Sequence, residues 1–464
     1  MKILKNITVF ALVMLLSVST ILEAREKSVS NFSSSTSNYV DSVGTFDGNK
    51  IYADVANNGL FLDYHVSGDS ALEWPKGTGV HSIFQSALWM GATVNGSIRT
   101  IVGDYTQDMG PGPWGGDPLA AVHRIYKVEK SMLASPLDFA DFQEWPVDFG
   151  APWVDVDGDG VYTPLPGGTD HPEFLGDQVL WFVSNDGDPA YKLNFGTSPL
   201  NVEIQTTMFG FDRPDVFGDM VFLKQLVINY GSDDLVDTYM GLWSDPDLGY
   251  AGDDFVGCDV ALGMGYVWND GDDSQYSTLD VGTPAAGYDF FQGPMVPCED
   301  GDSEEVCPTE GAKMFGTRHP GMKNLKMSSF AFYINGDATY TDPSDETEGY
   351  FYLQGLRKDG SAYPNEIAGD LYDQRFCFYG DPNDSAGHST ANPVDGNYAA
   401  SADRRFLMSV GPFTMAAGDS QEVVFGIFHA AGGDALSSVA YLKEVDALAQ
   451  TAYDIDFALP DSPP

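Results

Sequence analysis

The chain has 464 residues, enough for two or three domains or one large β module, and 43% hydrophobic with 13% aromatic content excludes wholesale disorder. Asp and Glu number 68 against 23 Lys and Arg, a formal net charge of −45. Such a surface repels nucleic acid and anionic membranes and attracts divalent cations, so a nucleic-acid partner is not expected.

Residues 1–24 read as a signal peptide. Lys2 and Lys5 form a short positive start, residues 7–16 (ITVFALVMLL) are apolar, and the stretch ends in Leu22-Glu23-Ala24. The apolar run is shorter than the roughly 20 residues that span a bilayer. No later run is longer, so no transmembrane segment is expected in the mature chain, which is placed outside the cytoplasm, secreted or at the cell surface. Residues 25–42 are rich in Ser, Thr and Asn and read as a flexible arm.

From residue 43 the pattern is strand-like. Short runs rich in Val, Ile, Phe, Tyr and Trp fall at 60–64, 83–94, 121–128, 179–183, 202–211, 220–230, 237–243, 260–267, 328–334, 350–353, 406–410 and 423–428. Gly and Pro, 51 and 27 in number, punctuate them, which is the signature of a sandwich or barrel. Residues 202–208 alternate like a half-buried strand, whereas 220–229 are continuously apolar, as a central strand is. One helix is expected near the C-terminus, capped by Asp434, with Leu436, Val439, Leu442, Val445, Leu448 and Ala452 at helical spacing. The fold class is therefore mainly β, either one large β-sandwich (jelly-roll-like) module or two packed β domains, with one C-terminal helix. In the two-domain version the borders are 43–195 and 196–459, and 460–464 is a Pro-rich tail.

Four cysteines suggest two disulfides in an exported chain. Cys298 with Cys307 is the closest pair, and Cys258 with Cys377 would follow. The acids cluster in loops. In Asp155-Val156-Asp157-Gly158-Asp159-Gly160-Val161, three carboxylates at alternate positions followed by Gly can converge on a hard cation such as calcium, which takes six to eight oxygens. Val161 would add its carbonyl. The place of the closing Glu of an EF-hand is Pro166, so Asp170, Glu173 or Asp177 must complete the shell. A second calcium site is expected between Asp245, Asp247 and Asp254, beside Cys258. The segments 185–188, 269–273 and 299–305 read as turns or an exposed hairpin tip.

Several phrases, taken in order, resemble a family of large secreted proteins of Bacteroidetes-like bacteria. They are LEWPKGTGVHSIFQSALWMGATVNGSIR at 72–99, WPVDFGAPWVDVDGDGVY at 145–162, GDQVLWFVSND at 176–186, DPDLGYAGDDFVGCD at 245–259, DRRFLMSVGPFTMAAGDSQEVVFGI at 403–427, and YDIDFALPDSPP at 453–464. Those proteins often carry fibronectin type III repeats and a type IX secretion sorting domain. The resemblance implies export and surface display, and no activity.

No HExxH, GxSxG or phosphate-loop motif is present, so no catalytic residue is assigned. The expected function is a secreted or cell-surface, non-catalytic structural and binding protein stabilised by loop calcium. Its expected partner is a glycan, a matrix component or a surface protein, with the eight Trp residues as candidate sugar contacts. The alternatives are an extracellular hydrolase acting on polysaccharide and a surface-layer or filament subunit.

Overall fold

A strand whose every side chain is apolar can be stable only in a sheet covered on both faces. Strands that are largely apolar on both faces form the middle of this protein. The computed structural model describes residues 43–165, 170–314, 316–363, 375–384 and 400–460. A nine-stranded antiparallel sheet runs in the order Asp254–Asp259, Met264–Asn269, Ala285–Gln292, Ser420–Ala430, Met220–Asn229, Val202–Gly210 and Gln178–Asn185. Gly110–Pro111 and Tyr126–Glu129 both pair with Gln178–Asn185 to close that edge. A six-stranded antiparallel sheet orders Met327–Ile334, Arg404–Met415, Leu235–Asp245, Gln85–Val94 and Leu60–Leu62, with Ser97–Ile101 also on Gln85–Val94. A smaller sheet of four short strands joins Val43–Phe46, Tyr52–Ala56, Leu72–Glu73 and His81–Ile83.

The two large sheets face each other across one hydrophobic core. Phe61 meets Phe425 at 5.4 Å between ring centroids, and Tyr288 meets Phe406 at 5.4 Å. Tyr288 also places its hydroxyl 2.6 Å from Ser86 Oγ and 3.0 Å from Ser244 Oγ, so the polar atoms inside this core satisfy one another. The far face of the nine-stranded sheet carries a second core. Leu180, Phe182, Val221 and Leu223 point into the sandwich, whereas Val179, Trp181, Met220 and Phe222 point the other way. That second face is covered by the helix Ala435–Asp454, whose cap Asp434 accepts a hydrogen bond from the Ser437 amide at 3.0 Å. Val439, Leu442, Val445 and Ala452 are buried as the spacing predicts, but Leu436 and Leu448 face solvent. Among the described residues no helix is long and apolar enough to cross a membrane.

The outer face of the six-stranded sheet is also covered. Trp89 and Trp243 stack there at 5.6 Å, and Trp243 Nε1 donates to Tyr333 Oη at 2.7 Å. The helix Glu346–Leu353 lies over them. Its last four residues were expected as a strand because Tyr350-Phe351-Tyr352-Leu353 has strong β propensity. The overriding signal is the cap: Asp345 accepts from the Thr347 and Glu348 amides, each at 2.9 Å. Close approach is possible because Gly91 and Gly241 lie underneath. A Cβ on Gly241 would sit 2.6 Å from Ser409 Oγ and 2.8 Å from a Leu353 methyl.

The expected border at 195/196 lies between Gln178–Asn185 and Val202–Gly210, which pair along eight consecutive positions. Residues before and after it share both large sheets, so the single large module describes the architecture, and the described residues form one compact unit. The runs at 121–128 and 260–267 are strands only in their later parts, Tyr126–Glu129 and Met264–Asn269. Cys298 and Cys307 form the expected disulfide, with 5.8 Å between Cα atoms. Cys258 and Cys377 do not. Both are free and buried, and the Cys258 thiol lies 3.4 Å from the Cys377 carbonyl oxygen.

One charged pair is buried between sheet and helix. Asp289, fully buried on Ala285–Gln292, faces Asp446, 1% exposed on the long helix. Burial lifts both carboxyls above the ordinary range, Asp446 to about 7. Two outcomes are expected. Gly241→Val costs about 1–3 kcal/mol by overpacking against the helix, read as a lowered unfolding midpoint in urea. Because the folded pKa of Asp446 exceeds its unfolded value near 4, the pair's contribution is complete in acid and is lost as pH rises through about 7. Asp446→Asn therefore flattens the decline of Tm between about pH 4 and pH 8, checked by calorimetry across that range.

Candidate metal centre

Alternating Asp and Gly in a loop does two things. The glycines take up positive φ and the carboxylates turn inward. Gly158 and Gly160 have φ of 77° and 76°, in the left-handed region that other residues avoid. Asp155 accepts from the Gly158 amide at 2.6 Å and the Gly160 amide at 2.9 Å. Asp157 accepts from the Asp159 amide at 3.1 Å, and Asp159 from the Val161 amide at 2.7 Å.

The loop is closed by a short antiparallel ladder in which Val154 pairs with His171 and Trp153 with Pro172. One step beyond this ladder, Asp155 and Asp170 come together. Asp170 is 1% exposed and accepts from the Val156 amide at 2.9 Å and the Thr163 amide at 2.8 Å. The Thr163 amide leads the set of donors that holds its carboxyl below the usual range. Asp155, Asp157, Asp159 and Asp170 each offer one oxygen, all within 4.8 Å of one another. Oxygens bound at about 2.4 Å around one calcium ion are at most about 4.8 Å apart, so the donor set fits that ion.

Of the expected ligands, Asp170 joins the three loop Asp residues. Asp177 does not: it opens the nine-stranded sheet, where its carboxylate accepts from the Asp212 amide at 2.9 Å. The Glu173 amide donates to the Pro152 carbonyl, beside the ladder. Val161 is exposed and spends its amide on Asp159. Pro166 lies outside the described residues.

The second cluster has a different composition from the expected one. The carboxylates that offer oxygens all within 4.8 Å of one another are those of Asp245, Asp247 and Asp403, and Asp254 is not one of that group. The sequence distance of Asp403 hid it. The ladder pairs Ser244 with Phe406, which sets Asp245 beside Arg405 and the preceding Asp403. Arg405 forks onto both oxygens of Asp245 at 3.0 Å and reaches Asp403 at 2.8 Å. Tyr105 donates to Asp245 at 2.7 Å. A guanidinium thus supplies positive charge here, with one hydrogen bond from Nη2 to Asp245 Oδ2. Asp254 is fully buried nearby, and its oxygens accept from the Leu248 amide and the Asn269 side chain. Burial, then neighbouring Asp247, raises its pKa.

The remaining acidic segments are turns or ion pairs. Asp273 accepts from the Tyr250, Gln275 and Tyr276 amides, and Asp302 in the disulfide loop pairs with Lys323 at 2.8 Å. Among the described residues, the Ser–His contact that hydrolysis would call to mind is a core feature. Ser82 Oγ lies 2.8 Å from His429 Nε2, with the two residues 0% and 2% exposed. Trp74 stacks over the imidazole at 5.1 Å, and burial lowers the His429 pKa to about 3. Of the eight Trp residues, Trp114 is exposed and Trp153 half-buried, whereas the other six are core.

Removing the guanidinium tests the second cluster. Arg405→Met leaves Asp245 buried without its cation and is expected to cost about 3–5 kcal/mol in urea unfolding. Adding Asp245→Leu is expected to restore most of that loss. No family model matches the chain, and no curated protein is similar to it.

Proposed function

We propose that this chain is an exported, non-catalytic structural and binding protein whose long loop at residues 155–170 is fixed by a calcium ion. The observation that carries this reading is the convergence of Asp155, Asp157, Asp159 and Asp170 on one centre, three of them exposed and one buried. Bound calcium compensates their mutual repulsion and ties the loop to the short ladder at Asp170. The leader-like start of the sequence and the Cys298–Cys307 bond support a location outside the cytoplasm, secreted or at the cell surface.

For a partner, a glycan is favoured over a matrix or surface protein by one surface feature. Trp114 and Tyr230 are 42% and 45% exposed, and their rings stack at 5.4 Å with an angle of 5°. Glu203 anchors this pair through the Trp114 amide at 2.7 Å. A rigid, solvent-facing aromatic face suits the apolar face of a sugar ring.

The test is thermal unfolding of the mature protein with calcium and with a chelator. Calcium at 100 times its dissociation constant is expected to add about 2.7 kcal/mol. Asp155→Asn with Asp157→Asn is expected to lower Tm in calcium and to leave it unchanged in chelator. A midpoint that calcium does not move overturns the metal assignment.

A further inference from the structure

A lysine sealed in a protein core is costly, because its ammonium loses its water and must find compensation inside. Lys192 is such a residue. Its side chain is 1% exposed, and Nζ lies 2.7 Å from Asp108 Oδ2 and 3.8 Å from Asp186 Oδ2, on side chains 2% and 0% exposed. Nζ also donates to the Thr100 carbonyl at 2.6 Å. The three partners of Nζ come from different parts of the fold. Asp186 follows the strand Gln178–Asn185, Asp108 precedes the edge strand Gly110–Pro111, and Thr100 belongs to Ser97–Ile101 of the other large sheet. Met109 beside Asp108 and Ile101 beside Thr100 are both buried.

The contact has the parts of a condensation reaction. The Asp108 carboxyl carbon is one C–O bond beyond the oxygen that touches Nζ at 2.7 Å, so the two groups to be joined are held together in a buried site. The Val102 amide donates to Asp108 Oδ2 at 3.0 Å, where negative charge develops when nitrogen adds to the carbon. Asp186 is fixed by the Leu200 amide at 2.7 Å and the Val202 amide at 2.8 Å, with one oxygen towards Nζ. Burial raises the pKa of both carboxyls, so each accepts a proton more readily than an exposed carboxylate does.

The geometry points to an intramolecular isopeptide bond between Lys192 and Asp108, formed by the folded protein itself with Asp186 as proton relay. The Nζ–Cγ bond forms and the Cγ–Oδ1 bond breaks. Two of the three ammonium protons leave with that oxygen as water, and no electron is gained or lost. Asp186 takes a proton from nitrogen, passes it to the departing oxygen and is regenerated. The amide would replace a buried ion pair by a neutral group and link residue 192 covalently to the Asp108 loop. This inference is independent of the calcium and glycan readings.

The test is peptide mass analysis of the folded full-length protein after denaturation and trypsin digestion. The expected result is one branched species joining the peptides that carry Asp108 and Lys192, lighter than their sum by one water. In that species cleavage after Lys192 is lost. In Asp186→Asn, shown to be folded by circular dichroism, the branched species is expected to be absent. Quantitative recovery of the two wild-type peptides unlinked, with Lys192 cleaved, overturns the proposal. Persistence of the link in folded Asp186→Asn overturns the relay role.

Discussion

A sheet buried on both faces leaves no side of its strands for polar residues, and this constraint organises the molecule. Along Gln178–Asn185 and Met220–Asn229 successive side chains enter opposite cores. Several charged groups lie at strand ends and in loops, where they meet charges from distant parts of the chain. Asp245 and Asp186 lie at or just beyond the ends of long strands, and Asp170 opens a short one. Each is nearly or completely buried, because the next layer of structure covers it.

With 68 acids and 23 basic side chains, compensation must be selective. Three means are visible. Backbone amides serve Asp155, Asp170 and Asp273, which need no cation for their hydrogen bonds. The guanidinium of Arg405 serves Asp245 and Asp403 together. Lys192 serves Asp108 and Asp186 inside the core. The loop at Asp155 differs in that four carboxylates each offer an oxygen within 4.8 Å of the others, the grouping on which the proposed calcium site rests.

Much of the fold was legible because both of its periods are strong. Continuous apolarity at 220–229 marked a strand covered on both faces, and it lies between Val202–Gly210 and Ser420–Ala430 in the middle of its sheet. Helical spacing after Asp434 marked the long helix. Local motifs were equally readable: the Asp-Gly loop and the Cys298–Cys307 pair depend on residues close in sequence. Features set by long-range register were not. Asp403 reaches Asp245 only through the pairing of Leu235–Asp245 with Arg404–Met415. Asp254 was expected in that place because it is close in sequence. Tyr350–Leu353 misled because aromatic residues favour strands until a cap and a glycine-floored groove make a helix the better packing.

The strand Ser420–Ala430 lies between Ala285–Gln292 and Met220–Asn229, near the middle of the larger sheet. Its place there has a consequence for the order of assembly. Until this late segment has been synthesised, the nine-stranded sheet is two fragments with bare edges, and the helix that roofs it has not yet been made. Native closure is thus postponed until the segment Ser420–Ala430 is free. Pairings so distant in sequence also form slowly. A nascent chain of this design stays open for most of its length, a state in which it can be threaded through a narrow passage or held by a chaperone before it locks.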